Sequence, residues 1–333
     1  MRAVRVLVVT PARPGSRNGN RVTALRWVRI LRRLGHRVRL AETYDGEHCD
    51  VLVALHARKS HASVARFSEE RPRAPLVVAL TGTDLYDELD RSAEAQDSLE
   101  RATRLVTLQP LAIQALPEPA RAKARAIVQS ASPPARPPPP ADGFQVCLLA
   151  HLRDVKDPFL AARAVRRLPE RSRVHVLHCG APLDPGAEER AREEMAANPR
   201  WRWVGPRPRA DALCALAASR ALVVSSRHEG GANVVSEAIA CGVPVLSTWI
   251  AGSVGVLGAD YQGFYPVGDD AALAALLLRL EEEPPFEAGL RARIAALRPL
   301  VAPERELEAW RTLLAELPVA APSRPADRDE GAA

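Results

Sequence analysis

The chain has 333 residues, of which 47% are hydrophobic and only 4% aromatic, and its formal net charge is +6. This length suits two domains of roughly 150 residues each, with cores built from Ala, Val and Leu. No apolar run approaches the roughly 18 residues that span a bilayer, and Val4–Val9 is broken by Arg5 and too short for a signal sequence. We therefore expect a cytoplasmic protein without stable membrane insertion.

The positive charge lies in the first part of the chain. Residues 1–141 carry 23 Lys and Arg against 14 Asp and Glu, a balance of +9, whereas residues 142–333 carry 23 against 26, a balance of −3. A basic half favours an anionic ligand, weak contact with an anionic membrane, or nucleic acid. We expect no nucleic acid, because no aromatic residues interleave with the arginines. Alternatively, Arg26, Arg29 and Arg33 are simply the solvent-exposed face of the first helix.

The cysteines predict free thiols, because their number is odd and no Cys-x-x-Cys pair occurs. The five are Cys49, Cys147, Cys179, Cys214 and Cys241. His175, His178 and Cys179 lie close together in sequence, but no second group of ligands accompanies them. Nor does an Asp-x-Asp occur that would hold a nucleotide-bound divalent ion. We expect strand packing for these residues, no metal and no cofactor.

The hydrophobic period alternates between strand and helix along residues 1–131, which predicts α/β units around a parallel sheet. The predicted strands are Val4–Thr10, Val38–Ala41, Val51–Leu55, Leu76–Leu80, Leu105–Leu108 and Ala126–Gln129. The predicted helices are Asn20–Leu34, Ser60–Glu70 and Asp90–Arg101. Residues 1–131 are therefore expected to form a Rossmann-like domain.

A proline-rich connector at residues 132–143 is semi-rigid and cannot join a sheet. The α/β pattern then restarts, which predicts a second Rossmann-like domain at residues 144–302. Its predicted strands are Gln145–Ala150, Val174–Cys179, Trp201–Val204, Ala221–Ser225 and Val243–Ser247. A terminal helix at 303–318 and a disordered tail at 319–333 complete the chain. The fold class is thus α/β, with two parallel-sheet domains facing a cleft.

A glycine pair follows the fourth strand of the second domain. Gly230 and Gly231 lead into a helix that begins near Ala232 and ends at Gly242, a left-handed cap, before Pro244. Free N–H groups at such a helix start, together with the helix dipole, attract phosphate oxygens. The sequence therefore predicts a phosphate site there.

Two acidic side chains accompany this helix. Glu229 lies just before it and Glu237 lies on its second turn, with seven residues between them. A lone Glu-x7-Glu is uninformative, because any exposed helix supplies one. Here the pair is set in Glu-Gly-Gly-x-Asn-x-x-x-Glu-Ala-x-Ala-x-Gly-x-Pro-Val, which resembles the donor-site signature of retaining GT-B glycosyltransferases of the family-4 type.

The resemblance implies a site for a UDP-sugar donor, with no metal. In that family the first glutamate, here Glu229, contacts the transferred sugar, and the second, here Glu237, holds the ribose hydroxyls. The other donor contacts that it implies come from Gly230, Gly231, Ala232, Asn233 and Val234. It also implies a last helix that crosses back to the first domain, and it favours retention of anomeric configuration.

Two cations follow the first strand of the second domain. Arg153 and Lys156 resemble, in shortened form, the Arg-x-x-x-Lys element with which the family holds the nucleotide diphosphate. Without a metal, such fixed cations must stabilise the charge that builds on a diphosphate leaving group. The alternative for Lys156, one of only three lysines among 46 basic residues, is an ion pair with Asp154 or Asp157. Arg207 lies in the stretch that meets the base in the family.

The first domain offers mainly cations and hydrogen-bond donors at the carboxyl ends of its strands, where open α/β sheets bind ligands. Its first loop lacks Gly-x-Gly-x-x-Gly, which counts against a dinucleotide-binding dehydrogenase. The candidate acceptor residues are Gly15, Arg17, Asn18, Gly19, Arg21, Lys59, Thr81, Gly82, Thr83 and Asp84. They suit a small oxyanion better than a sugar or a long lipid.

Two loops of the first domain sharpen the resemblance. Leu-His-Ala-Arg-Lys-Ser at 55–60 and Leu-Thr-Gly-Thr-Asp-Leu-Tyr at 80–86 are similar to those of the selenosugar synthases of selenoneine biosynthesis, over about residues 3–318. That family implies transfer of a hexose from UDP-GlcNAc or UDP-Glc to the selenium of selenophosphate. A glycosyltransferase with a sugar or lipid acceptor, a sugar-nucleotide epimerase and a non-catalytic UDP-sugar sensor remain as alternatives.

Overall fold

The computed structural model describes residues 3–16 and 19–319. Its first sheet contains β1 (Arg5–Val9), β2 (Arg37–Ala41), β3 (Val51–Leu55), β4 (Leu76–Leu80), β5 (Arg104–Thr107) and β6 (Ala124–Ala126). The helices around it are α1 (Gly19–Arg33), α2 (His61–Glu70), α3 (Thr83–Tyr86), α4 (Ala93–Arg101), α5 (Leu111–Gln114) and α6 (Glu118–Ala122). The spatial order is β2-β1-β3-β4-β5-β6, with every neighbouring pair parallel.

The second sheet contains β7 (Phe144–Leu149), β8 (Val174–Cys179), β9 (Trp201–Trp203), β10 (Ala221–Val224), β11 (Val245–Thr248) and β12 (Phe264–Tyr265). Its helices are α7 (Leu160–Arg166), α8 (Ala187–Ala197), α9 (Arg209–Ala218), α10 (Asn233–Cys241), α11 (Ala251–Leu257), α12 (Asp270–Glu282) and α13 (Pro284–Leu297). The parallel order β12-β11-β10-β7-β8-β9 is that of a Rossmann fold, and the order reverses between β7 and β10.

Helices cover both faces of the first sheet, which explains why its strands read as continuous apolar runs. Along β1, Leu7 and Val9 join one hydrophobic cluster, whereas Val6 and Val8 join the cluster on the opposite face. This alternation follows from the two-residue period of a strand. The two faces together make the core of the first domain.

The last helix, α14 (Pro303–Ala315), packs on the first sheet although it follows the second in sequence. Trp310 is fully buried, and its ring meets that of Trp27 edge-on at a centroid distance of 4.8 Å. Just after the helix, Glu316 forms ion pairs with Arg104 and Arg125. The expected return of the terminal helix to the first domain is therefore confirmed.

A buried carboxylate ties this helix to α1 and to the segment that follows β6. Glu306 is 1% exposed and accepts hydrogen bonds from the Trp27 indole N–H at 2.9 Å and from the Ser130 backbone N–H at 2.8 Å. The Ser130 hydroxyl donates to the same carboxylate. Because every one of these donors is buried, the acceptor cannot be removed without leaving them unsatisfied.

Most predicted elements agree with the structure to within a few residues, but β6 does not. It was expected at Ala126–Gln129 and instead pairs over Ala124–Ala126. Gln129 and Ser130 leave the sheet because their polar groups bond to Thr23 and Glu306. The two-residue strand β12 was missed, because so short a segment carries no period.

Some of the sequence-based predictions fall on residues that the structure does not describe, and one prediction concerns the membrane. Arg17, Asn18 and the tail at 320–333 lie outside the described residues. In residues 3–16 and 19–319, none of the helices has both the length and the apolarity needed to cross a membrane.

Replacing Glu306 tests how strongly this carboxylate holds α14 on the first domain. Glu306→Ala should lower the free energy of unfolding by about 2–3 kcal/mol, because the Trp27 and Ser130 donors lose their acceptor. Urea denaturation measures this effect. Glu304→Ala is the matched control, since Glu304 is exposed on the same helical turn. Equal unfolding midpoints for the two variants would contradict the assigned role.

Candidate active site

The start of α10 lacks a side-chain cap. Its N-cap residue is Ala232, whose methyl group cannot accept a hydrogen bond. The Val235 N–H donates to the Ala232 carbonyl at 3.0 Å, and the N–H groups of Asn233 and Val234 have no partner within the helix. Val235, Ala238 and Ile239 are fully buried and anchor the helix to its sheet. The helix ends at Gly242 with φ 72°, the left-handed cap that the sequence predicted. The helix therefore presents open N–H groups at the carboxyl edge of β10.

Lys156 and Glu229 meet where the order of the second sheet reverses. Lys156 ends a 3-10 turn after β7, and its Nζ contacts Glu229 Oε1 from the loop after β10. Ser226 Oγ donates to the same oxygen at 2.7 Å. Two residues predicted from separate motifs thus lie in direct contact, because β7 and β10 are neighbours.

The alternative partners of Lys156 are engaged elsewhere. Asp157 accepts from Arg163 at 3.2 Å, and Asp154 lies 3.7 Å from Arg227. The side chain of Arg153 is exposed, and none of the described residues forms a hydrogen bond or ion pair with it. It is therefore available to a ligand beside Lys156.

Four hydrogen bonds fix these loops. Ser225 Oγ donates to the Lys156 carbonyl at 2.8 Å, and the Arg227 N–H donates to the Val155 carbonyl at 2.9 Å. The Thr248 hydroxyl donates to the Ser226 carbonyl at 2.6 Å, and the Tyr265 hydroxyl donates to the Val224 carbonyl at 2.8 Å. The last two come from β11 and β12. Strands on the outer side of the sheet therefore position the loop that carries Glu229.

Glu237 is held by an arginine that the sequence analysis did not single out. The carboxylate is largely buried on α10, and its Oε1 accepts from Arg209 Nη2 at 2.8 Å and Nε at 3.1 Å. Arg209 begins α9, which follows β9. The sequence offered one indication of this role, because Arg209 lies only two positions after the candidate Arg207. Arg207 itself is exposed in the loop before α9.

Asn233 contacts the first domain. Its Oδ1 accepts from Arg26 Nη2 at 2.7 Å, across a sequence separation of 207 residues. Burial lowers the pKa of the Arg26 guanidinium, an effect that the nearby carboxylates of Glu306 and Glu237 oppose. The start of α10 is therefore tied to α1 across the cleft.

The glycines before α10 also touch the first domain. A Cβ atom on Gly230 would lie 2.4 Å from the Thr81 carbonyl oxygen and 2.6 Å from the Gly82 nitrogen. One on Gly231 would lie 2.5 Å from the Cβ of Leu108. The sequence analysis assigned these glycines to phosphate binding alone. The structure adds a second reason for them, since only glycine lets the two domains approach this closely.

A pair of glycine substitutions tests this contact. Gly230→Ala should lower the free energy of unfolding by about 1–3 kcal/mol, because a methyl group has no room against the Thr81–Gly82 backbone. Gly289→Ala is the control, because Gly289 lies exposed within α13 with open space around it. It should raise stability by about 0.5–1 kcal/mol. Thermal unfolding compares the two, and a stabilising Gly230→Ala would show that the loops do not touch.

The loop after β4 brings the predicted acceptor residues Thr81 and Gly82 towards Glu229. The side chain of Asp84, from the same loop, is instead turned into the protein interior. The Asp84 carboxylate is fully buried and accepts from the N–H groups of Thr81 at 2.9 Å, Gly82 at 2.8 Å and Ala57 at 3.0 Å. Its oxygens join the loops after β3 and β4. The expectation that Asp84 contacts the acceptor is corrected: it is a positioning residue.

His56 is a polar residue of this site that the sequence analysis did not assign. It is almost fully buried at the end of β3 and adopts φ 75°, a left-handed conformation that is unusual for a residue with a Cβ. Its Nε2 lies 3.3 Å from Thr83 Oγ1, and burial lowers the pKa of the imidazole below its usual value. The sequence could have indicated His56 as a site residue, because it directly follows the buried strand β3.

The remaining candidates lie on three loops of the first domain. Lys59 is exposed, and its ammonium group has no partner among the described residues. Thr81 and Thr83 are partly exposed at the interdomain contact. Gly15 adopts φ 81° in the first loop, and Gly19 and Arg21 lie on the first turn of α1. His228, next to Glu229, lies 3.4 Å from Asp87 of the first domain.

The histidine and cysteine run on β8 belongs to the core. His178 is fully buried, its Nε2 lies 2.8 Å from the Ala150 carbonyl oxygen, and burial lowers its pKa to about 4. Within the described ranges, no group of three or more His, Cys, Asp or Glu side chains is arranged to hold a metal ion.

This pair of facing parallel-sheet domains is the GT-B fold, as comparison with solved structures confirms. Anabaena Alr3699/HepE, crystallised with UDP, is 15% identical, with a TM-score of 0.76 over 95% of this chain and 100% of that chain. Sucrose-phosphate synthase from Thermosynechococcus elongatus is 17% identical, with a TM-score of 0.74 over 94% of this chain and 100% of that chain. At these identities the likeness concerns the fold.

Sequence comparison assigns the second domain more specifically. Residues 134–296 match the glycosyl transferases group 1 family. The D-inositol 3-phosphate glycosyltransferases of Corynebacterium efficiens and Mycobacterium leprae (strain Br4923) are 29% and 28% identical over 137 and 165 residues. These matches cover 39% and 46% of this chain, and 32% and 38% of the two relatives. Within a GT-B fold, the second domain is thus similar in sequence to the glycosyl transferases group 1 family. The chain spans about a third of the length of these relatives.

Proposed function

We propose that this protein is a glycosyltransferase that moves a hexose from a UDP-sugar, UDP-GlcNAc or UDP-Glc, to the selenium of selenophosphate. The observation that carries the proposal is the contact between Lys156 and Glu229, which lies against the Thr81–Gly82 loop of the first domain. A cation for the leaving group, a carboxylate for the sugar and a donor-rich acceptor loop then meet at one place.

The donor half has the stronger support. Alr3699/HepE has been crystallised with UDP and with UDP-glucose, and Arg153, Lys156, Glu229 and Glu237 all lie within the segment that matches the group 1 family. A diphosphate entering beside Arg153 would compete with Glu229 for Lys156. The released carboxylate could then accept a hydrogen bond from a sugar hydroxyl, and Glu237 could accept from the ribose.

The proposed reaction breaks the bond between sugar C1 and the diphosphate oxygen while a selenium lone pair forms the new bond to C1. UDP leaves with the electron pair of the broken bond, stabilised by Arg153 and Lys156 without a metal. Hydrolysis of the Se–P bond then releases phosphate. Selenophosphate is already an anionic nucleophile, so the site needs no base to deprotonate it and contributes mainly orientation.

The acceptor assignment rests on the chemistry of the first-domain loops. Lys59 supplies an unpaired ammonium group, and Thr81 and Thr83 supply hydroxyls. His56, in contact with Thr83, is held neutral by burial and would orient that hydroxyl. A phosphorylated sugar or polyol is the second candidate acceptor, because the similar proteins include D-inositol 3-phosphate glycosyltransferases and a sucrose-phosphate synthase.

The donor assignment predicts turnover without a divalent metal. Arg153→Ala with Lys156→Ala should lower kcat by at least about 100-fold, since two charge-assisted contacts to the leaving group are lost. Glu237→Ala should mainly weaken UDP binding, and Glu229→Ala should mainly lower kcat. UDP release with added EDTA and calorimetric UDP binding measure these effects. Arg73→Ala, an exposed arginine elsewhere, is the control. Full activity of the double variant, or strict dependence on magnesium or manganese, would overturn the assignment.

The acceptor assignment predicts a separate effect of Lys59. Lys59→Ala should raise the acceptor KM about tenfold to a hundredfold and leave UDP affinity unchanged. UDP release is measured anaerobically with selenophosphate, thiophosphate, D-inositol 3-phosphate and glucose.

Selenophosphate should be the fastest of these acceptors and thiophosphate a weaker analogue. Faster turnover of D-inositol 3-phosphate would select the second candidate, and equal turnover of glucose would exclude an anionic acceptor. Product analysis without any acceptor would reveal an epimerase, and UDP-sugar binding without turnover of any acceptor would reveal a sensor.

A further inference from the structure

A cavity of about 250 Å³ lies between the two domains, next to the connector and the start of α14. Four arginines line it: Arg26, Arg29 and Arg33 from α1, and Arg209 from α9. Aspartate and glutamate are absent from its lining. We call this cavity the hinge arginine pocket.

The three arginines of α1 share one face because they are spaced i, i+3 and i+7. Like charges at such spacing repel one another, so their clustering is unfavourable unless a negative charge offsets it. In the part of the chain that the structure describes, neither Arg29 nor Arg33 has a hydrogen-bond or ion-pair partner. Arg29 and Arg33 are exposed, as the sequence allowed, and with Arg26 they also line the cavity.

Arg26 leaves a donor unsatisfied at this cavity. Its Nη2 donates to Asn233, but its Nη1 is buried without a hydrogen-bond partner among the described residues. A buried guanidinium N–H without an acceptor is costly, and Arg has no way to lose its charge at ordinary pH. The charge of Arg26 therefore adds to those of Arg29 and Arg33 along the wall of the cavity.

The nearby carboxylates are engaged in other contacts. Both oxygens of Glu306 accept from Trp27 and Ser130, and Glu237 accepts from Arg209 through one oxygen. The positive charge of the pocket thus exceeds what the protein neutralises. A small ligand with several acceptor oxygens would offset the charges of Arg26, Arg29 and Arg33 together.

We propose that the hinge arginine pocket binds a phosphate-class oxyanion, either free phosphate or the phosphate group of a small metabolite. Guanidinium forks match the oxygens of phosphate in pairs, and Ser132 adds a hydroxyl donor at the rim. The volume is ample, since a single water occupies about 30 Å³. The proposed diphosphate cations, Arg153 and Lys156, are not among the lining residues, so this is a second anion site.

The pocket adjoins the proposed donor site, and this relation rests on the proposed function. Arg209 joins the pocket to Glu237, and Arg26 joins it to Asn233. An anion there would hold α1 and α9 together across the hinge, beside the residues assigned to the nucleotide. Binding must therefore be measured both with and without UDP.

Calorimetric titration of the full chain with inorganic phosphate, in a phosphate-free buffer, tests the proposal. Arg29→Gln and Arg33→Gln should each weaken phosphate binding about tenfold, and the double variant should abolish it. Arg73→Gln removes the same charge from an exposed arginine outside the pocket, and should leave binding unchanged. Saturating UDP should not displace phosphate, and the double variant should keep its UDP affinity, which shows that it is folded.

The proposal would be wrong if the wild type did not bind phosphate, or if Arg73→Gln weakened phosphate binding as much as Arg29→Gln and Arg33→Gln. It would also be wrong if UDP displaced phosphate, because the anion would then lie at Arg153 and Lys156. A parallel titration with glucose 6-phosphate and glucose distinguishes the sources. Tighter binding of the sugar phosphate supports a phosphorylated metabolite, equal binding supports free phosphate, and binding of glucose contradicts an anion site. Failure of UDP to bind would count against the proposed donor site and leave the phosphate titration valid.

Discussion

The close approach of two loops from different domains is the constraint on which the site depends. The Thr81–Gly82 backbone lies against Gly230 so tightly that a single methyl group on Gly230 would overlap it. This contact places the Thr81–Gly82 loop next to Glu229 and leaves no room for a side chain at Gly230. Asp84 holds the loop in shape on one side, and hydrogen bonds from β11 and β12 hold the Glu229 loop on the other.

Charge compensation is the second organising feature. In the structure both acidic residues of the donor motif are paired with a cation, Glu229 with Lys156 and Glu237 with Arg209. Neither carboxylate is left as an isolated partly buried charge, which would be costly. Under the proposed function, the diphosphate and hydroxyl groups of a nucleotide sugar would take over these contacts. Arg29 and Arg33 of α1 differ, because neither has a carboxylate partner among the described residues.

The sequence predicted the architecture well, because buried parallel strands and amphipathic helices carry strong periodic signals. The resemblance singled out Lys156, Glu229 and Glu237 as donor-site residues, and this role stays a prediction. The structure brings Lys156 and Glu229 into contact, because loops that follow neighbouring parallel strands meet at one edge of the sheet. The sequence placed β6 too late, because Ile127 and Val128 continue the apolar run beyond the strand, whereas Gln129 and Ser130 bond to distant residues. Periodicity cannot register such partners.

What the sequence determined by itself is therefore local: strands, helices, caps and the chemical types available in each loop. The tertiary structure alone decided which of those groups face one another. Asp84 proved to be a buried anchor, Arg209 proved to be the partner of Glu237, and Arg26 proved to border a cavity between domains. The physical reason is that a side chain's role depends on which donors and acceptors remain unpaired around it. That pairing is set by contacts between segments that are 27 to 207 residues apart in sequence.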